Sequence, residues 1–186
     1  MATLGLNFVT ASQDLFSLSL PHHKISVQVH QNVNTGLHGV VWDAAVALST
    51  FLDKHADTFI VRKRILELGS GTGLVGLTAS FLHATSVTLT DLPTALPLLQ
   101  QSIMLNERND TSPCSVLLHA YEWGTTPSFA KWNDFDLILC SDCLYDKDLI
   151  EPLLSTWKFF QTPILIAFKQ RHPRYLLFHF FFLINI

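Results

Sequence analysis

The positions best suited to chemistry lie between residues 67 and 91. Glu67 precedes the glycine-rich run Gly69-Ser70-Gly71-Thr72-Gly73, and Asp91 stands at the end of the next apolar stretch. Positions without side chains let a backbone approach a ligand closely and adopt angles closed to other residues. A carboxylate at the end of the following strand can accept hydrogen bonds from both hydroxyls of a ribose. Together the two features point to an adenosine-containing ligand. A P-loop would need Lys and then Ser or Thr after its last glycine. Leu74 and Val75 stand there instead, which disfavours a nucleoside triphosphate. The glycine spacing also departs from the G-x-G-x-x-G of dinucleotide sites.

A second group follows an apolar run: Cys140-Ser141-Asp142-Cys143-Leu144-Tyr145. Cys-x-x-Cys after a strand can form a thiol–disulfide pair. Asp142 between the cysteines disfavours a reactive thiolate, and no second cysteine pair is present to complete a zinc site. His22 and His23 read as exposed turn residues, with no other ligand at metal spacing nearby.

These residues need a scaffold, and the apolar periodicity supplies one. Leu15 to Leu20 and Ile25 to Val29 alternate and read as a β-hairpin around Pro21-His22-His23-Lys24. Val41, Ala45, Leu48 and Leu52 fall on one helical face, and His55 to Arg64 reads as a polar connector. Ile65–Leu68 is the first buried strand, and Leu74 to Leu82 resumes helical spacing. Ser86–Thr90 is the second strand, ending at Asp91. Thr94 can cap a helix with Pro97 in its first turn and Leu96, Leu99 and Ile103 inward. Ser115–His119, Phe135–Cys140 and Pro163–Phe168 are further strands. A helix over Lys147–Phe160, with Ile150, Leu153 and Trp157 on one face, precedes the last of them. Strands alternating with helices predict an α/β fold with a mostly parallel sheet. In such sheets ligands bind beyond the carboxyl ends of the strands. The glycine turn, Asp91 and Asp142 all fall at those ends.

The string ILELGSGTGLVGL followed by TLTDLP resembles the first two motifs of Rossmann-like, seven-strand class I methyltransferases. VVWDAAVAL around Trp42, EWG around Trp123 and FDLILCSDCLYD narrow the likeness to the lysine methyltransferases of methyltransferase-like family 16. The resemblance runs from about Leu15 to Arg171, and Asp142-x-x-Tyr145 is its most specific mark. It implies S-adenosyl-L-methionine as cofactor and a lysine of a protein substrate, such as a chaperone or translation factor, as methyl acceptor. It further implies that Trp42 lies near the methionine end of the cofactor, and that Gly69, Ser70 and Gly71 approach it through backbone atoms. Asp91 would hold the ribose, Leu92 and Trp123 the adenine, and Ser141 would line the site. Glu67 and Gly73 complete the cofactor-binding set.

Asp142 is the candidate carboxylate at the pocket mouth, and Tyr145 the candidate for orienting the amine. Ser141 and Cys143 share that placement. Methylation of another acceptor, and a cofactor-binding module without catalysis, are the rival functions.

The remaining features bound the setting. The chain of 186 residues is 48% apolar and 15% charged, with a formal net charge of −3, which disfavours disorder and shows no basic footprint for nucleic acid. The N-terminal MATLGLNFVTASQD has no basic start followed by an apolar run, so no secretory signal is expected. The three cysteines argue against a disulfide framework, and the expected compartment is cytoplasmic or nuclear. Asn109-Asp110-Thr111 matches a sequon that lacks an export context. Tyr175 to Ile186 is too short an apolar run for a membrane span. The expected organisation is an N-terminal β extension over 1–34, a cofactor-binding domain over 35–172 and an atypical hydrophobic tail over 173–186. The family pattern continues past His172 through further antiparallel strands, which the tail YLLFHFFFLINI does not resemble. A truncated product with an open sheet edge at Ile164 to Phe168 is the first expectation. A tail folding back onto that edge is the second, and a membrane-interface anchor the third.

Overall fold

The computed structural model describes residues 14–106, 114–169 and 179–184. The N-terminal segment before Asp14, the Asn109 triplet and the tail apart from His179–Ile184 lie outside them. Strands β1 (Leu15–Leu20) and β2 (Ile25–His30) form the expected antiparallel hairpin. The main sheet is built from β3 (Arg64–Leu68), β4 (Ser86–Asp91), β5 (Ser115–Ala120), β6 (Leu137–Ser141), β7 (Ile164–Lys169) and β8 (His179–Ile184). Its order is β5-β4-β3-β6-β7-β8. All neighbours are parallel except β7 and β8. The chain begins the sheet at β3, grows outward through β4 and β5, then crosses to the other side of β3 for β6 and β7. The crevice between the ends of β3 and β6 is therefore the topological switch point, where open α/β sheets bind ligands.

Side-chain alternation divides the core. Ile65, Val87, Leu89, Leu137, Leu139, Leu165 and Ala167 face α1 (Asp43–Lys54), α3 (Leu74–Phe81) and the hairpin. Leu66, Leu68, Ile138, Cys140, Ile164 and Ile166 face α5 (Ile150–Phe160), which buries Leu153, Trp157 and Phe160 against them. Each fully buried Leu, Ile or Phe contributes about 1.5–3 kcal/mol. Two-sided burial is why these strands read as continuous apolar runs. The hairpin is fastened by polar contacts as well. Buried Asp53 of α1 accepts the His22 and His23 backbone N–H groups and lies 3.0 Å from the His23 ring. Ser102 of α4 (Leu96–Leu105) accepts the His30 N–H at 3.0 Å.

Several local expectations change. The connector His55 to Arg64 contains a short helix, α2 (Ala56–Phe59), because Ala56 and Ile60, four apart, both bury. Thr94 is exposed and does not cap α4. Backbone turns from Ala95 N–H to Leu92 O and from Leu96 N–H to Pro93 O satisfy donors there, and the helix begins after Ala95. Lys147–Leu149 forms a 3-10 turn capped by Asp146, and Ile150, opening α5, is exposed rather than on the buried face. The edge of β7 is not open: β8 pairs with it from Ile164↔Ile184 to Lys169↔His179. Among the described residues no helix is long and apolar enough to cross a membrane.

Candidate active site

The turn after β3 is shaped by three glycines with positive φ, Gly69 (65°), Gly71 (54°) and Gly73 (88°). At Gly69 a Cβ would lie 2.9 Å from Cζ2 of Trp123 and 3.2 Å from Sγ of Cys143, so glycine is required by space as well as by angle. Ser70 ties the turn to β4: its N–H donates to Thr90 O at 3.0 Å, and its hydroxyl accepts the Thr90 N–H at 3.1 Å. Glu67 points to the opposite face of β3, where its Oε2 accepts the Gly76 N–H at 3.1 Å. Burial pushes the Glu67 carboxyl up to about 8, against the opposing hydrogen bonds from Ser70 and Gly76.

Asp91 meets the turn from the end of β4. Its Oδ2 accepts the Gly71 N–H and its Oδ1 the Leu92 N–H, each at 2.7 Å. Each oxygen keeps a lone pair for a further donor. Burial raises its carboxyl above the ordinary value, and the two N–H groups and His38 oppose that shift.

Gly69, Gly71 and Asp91 border a cavity of about 390 Å³ over the switch point. Of the residues expected from sequence, Trp42, Gly69, Gly71, Asp91, Leu92, Trp123, Ser141, Asp142 and Tyr145 line it. Glu67, Ser70 and Gly73 do not line it; they shape the turn from behind. Trp42 precedes α1 and its indole N–H donates to Leu37 O at 2.9 Å. The next residue, Asp43, pairs with Lys169 at the end of β7, which joins the start of α1 to the sheet. Asp142 is 8% exposed and holds φ at 56°, with its N–H bound to Ala167 O at 2.8 Å. Aspartate is among the non-glycine residues that enter this left-handed region most readily. Tyr145 stands 49% exposed at the mouth. Burial, with the nearby Cys143 and acids, raises its phenol, so it is a protonated donor at neutral pH.

Sequence reasoning missed Leu37, His38, Tyr121, Glu122, Leu149 and Pro152 as cavity residues. Tyr121 and Glu122 could have been found, because they follow β5 as Leu92 follows β4. The others come from turns and a helix start without a motif. Cys143 also lines the cavity, but its Sγ donates to Leu68 O at 3.3 Å. A hydrogen bond with Cys140, followed by burial, raises its thiol well above the ordinary value. All three cysteines are free, and a thiolate-based reaction has no support.

The cavity suits an adenosyl ligand on its own geometry. Gly69 and Gly71 bring backbone to its wall without side chains, and the Asp91 carboxylate, with spare acceptor capacity, lines it beside them.

The sequence profile described as lysine methyltransferase matches residues 21–184. Protein N-lysine methyltransferase METTL21A of Mus musculus is 35% identical over 167 residues, covering 86% of this chain and 73% of that protein. EEF1A lysine methyltransferase 3 of Xenopus tropicalis is 32% identical over 161 residues, covering 85% and 69% respectively. Among solved structures, the T. thermophilus 16S rRNA methyltransferase RsmC, in complex with AdoMet and guanosine, superposes with a TM-score of 0.60 at 15% identity. That match covers 84% of this chain and 41% of that one, and it speaks to the fold. With its motifs gathered around one cavity and the family profile spanning most of its length, this chain belongs to the lysine methyltransferase family.

Proposed function

We propose that the chain is an S-adenosylmethionine-dependent protein-lysine methyltransferase, with cofactor and acceptor lysine meeting in the cavity between β3 and β6. The observation that carries this reading is the shared cavity itself. Gly69, Gly71, Asp91 and Trp123 line the same space of about 390 Å³ as Asp142 and Tyr145.

When bound, S-adenosylmethionine supplies an electrophilic sulfonium methyl group. Asp91 is the residue to hold the ribose hydroxyls through its remaining lone pairs. Trp42, Leu92 and Trp123 exclude water from the apolar parts of the ligand. Asp142 attracts the lysine ammonium, and Tyr145 orients it through its hydroxyl or ring face. A lysine has a reference pKa of ~10.4, and a carboxylate beside it favours the charged form. Asp142 is therefore a docking group, and the largely apolar cavity supplies the desolvation that favours proton loss. Alignment of amine and methyl group accounts for ~7–11 kcal/mol in well-oriented reactions. A translation factor is the first acceptor to try, since one relative is named for EEF1A.

The test is transfer of labelled methyl groups from S-adenosylmethionine into a cell extract, followed by complete hydrolysis of the labelled protein. Methyl-lysine is the expected product. A different methylated residue would reassign the acceptor, and a folded sample that transfers no label would remove the enzymatic reading.

A further inference from the structure

Trp123 reaches the cavity from a loop between β5 and β6 that contains no helix or strand of its own. Its placement has to come from outside the loop, and the contacts lead to one buried hydroxyl on α5. Thr156 is 1% exposed. Its Oγ1 accepts the N–H of Gly124, the residue after Trp123, at 2.9 Å. The same oxygen lies 3.2 Å from the Tyr121 hydroxyl and 3.1 Å from Pro152 O, one turn back on its own helix. Tyr121 in turn donates to Thr125 O at 3.0 Å. The contacts from Thr156 and Tyr121 thus reach residues 121, 124 and 125, on both sides of Trp123.

Packing restricts the loop in the same place. Gly124 has φ of 83°, and a Cβ there would lie 3.2 Å from both Cα and Cβ of Pro152. The loop is thus pressed on α5 at Gly124 and hydrogen-bonded to it at the same residue. The hydroxyl of Thr156 has one proton and two lone pairs. With its proton directed to Pro152 O, one lone pair takes the Gly124 N–H and the other lies toward Tyr121, whose single proton is shared between Thr156 Oγ1 and Thr125 O. Val in its place would match the shape but remove the buried acceptor that ties the Gly124 N–H to α5.

We infer that Thr156 is a positioning residue for cofactor binding, acting through Gly124 and Tyr121 to hold the Trp123 indole over the Gly69 turn. The inference rests on the proposed function, because it takes the cavity as the cofactor site. The indole leaves no room for a Cβ at Gly69, so a small shift of the loop changes the cavity wall directly. Helix α5 also brings Pro152 to the cavity and follows the turn that brings Leu149 there. One element therefore sets both the Trp123 wall and part of the rim.

The experiment is a titration of the full chain with S-adenosylhomocysteine, using wild type, Thr156→Val, Thr156→Ser, Trp123→Ala and the double variant Thr156→Val/Trp123→Ala. Thr156→Val is expected to weaken binding about fivefold, the effect of one net hydrogen bond. Thr156→Ser, which keeps the hydroxyl, is expected to stay within about twofold of wild type. In the Trp123→Ala background Thr156→Val is expected to add almost nothing, since the indole it positions is gone. Full additivity in that cycle would overturn the inference, because a general loss of structure adds to the loss of Trp123. Wild-type affinity in a folded Thr156→Val variant would overturn it alone and leave the cofactor site standing. A folded wild type that takes up no S-adenosylhomocysteine would remove both.

Discussion

The Asp91 carboxylate accepts the Gly71 N–H at 2.7 Å, so the acid ending β4 and the turn following β3 form one hydrogen-bonded unit. Loss of Asp91 therefore acts twice: it removes the proposed ribose acceptor and releases the turn. Asp91→Ala is expected to weaken S-adenosylhomocysteine binding by about 1.5–3 kcal/mol, or roughly tenfold to a hundredfold. Calorimetric titration of a folded variant measures this, and an unchanged affinity would contradict the ribose assignment.

Asp142 should separate binding from turnover. Asn tolerates the left-handed backbone that Asp142 adopts at φ 56°, so Asp142→Asn changes the charge with little added strain. The expected outcome is a loss of methyl transfer of about tenfold or more, with cofactor affinity within about threefold of wild type. Transfer rates compared with S-adenosylhomocysteine titrations on the same preparation test this. Equal turnover would place the docking charge elsewhere.

Glu67 should give the fold a pH-dependent stability of unusual sign. Its carboxyl titrates at about 8 when folded, against 4.5 for the unperturbed group, because burial disfavours the anion. Between these values the folded state keeps a proton that the unfolded chain has released. Stability is therefore full below about pH 4.5 and declines as pH rises toward about 8. Glu67→Gln removes the titration and should flatten this part of the profile. Urea midpoints for both proteins across the window would show it, and identical slopes would refute it.

Asp53 predicts the opposite dependence. Burial alone would raise its carboxyl, but hydrogen bonds from the His22 and His23 N–H groups and the His23 ring outweigh it and hold the value low. The stability it contributes is present above the ordinary carboxylate range and is lost as pH falls through the depressed folded value. Asp53→Asn should cost about 1–3 kcal/mol at neutral pH by loosening the hairpin from α1. The difference from wild type in denaturant unfolding should shrink in acid.

What the chain determined by itself is the alternation of elements and the address of the site. Two-sided apolar strands such as Ile65–Leu68 and the turn residues after them have local causes: side-chain period, glycine freedom and strand length. Those causes also put Asp91 and Asp142 at strand ends, where a parallel sheet binds its ligands. Local patterns could not decide what depends on partners distant in sequence. Glu67 and Ser70 sit in the motif but serve the turn, because Gly76 and Thr90 claim their polar atoms. Tyr121 and His38 line the cavity only because β5 and the turn before α1 converge there. The edge of β7 is covered because backbone pairing with β8 needs donors and acceptors in register, which composition does not reveal. Thr156 had no motif at all; its role exists only where α5 passes the Trp123 loop, since a hydrogen bond is set by distance in space and not along the chain.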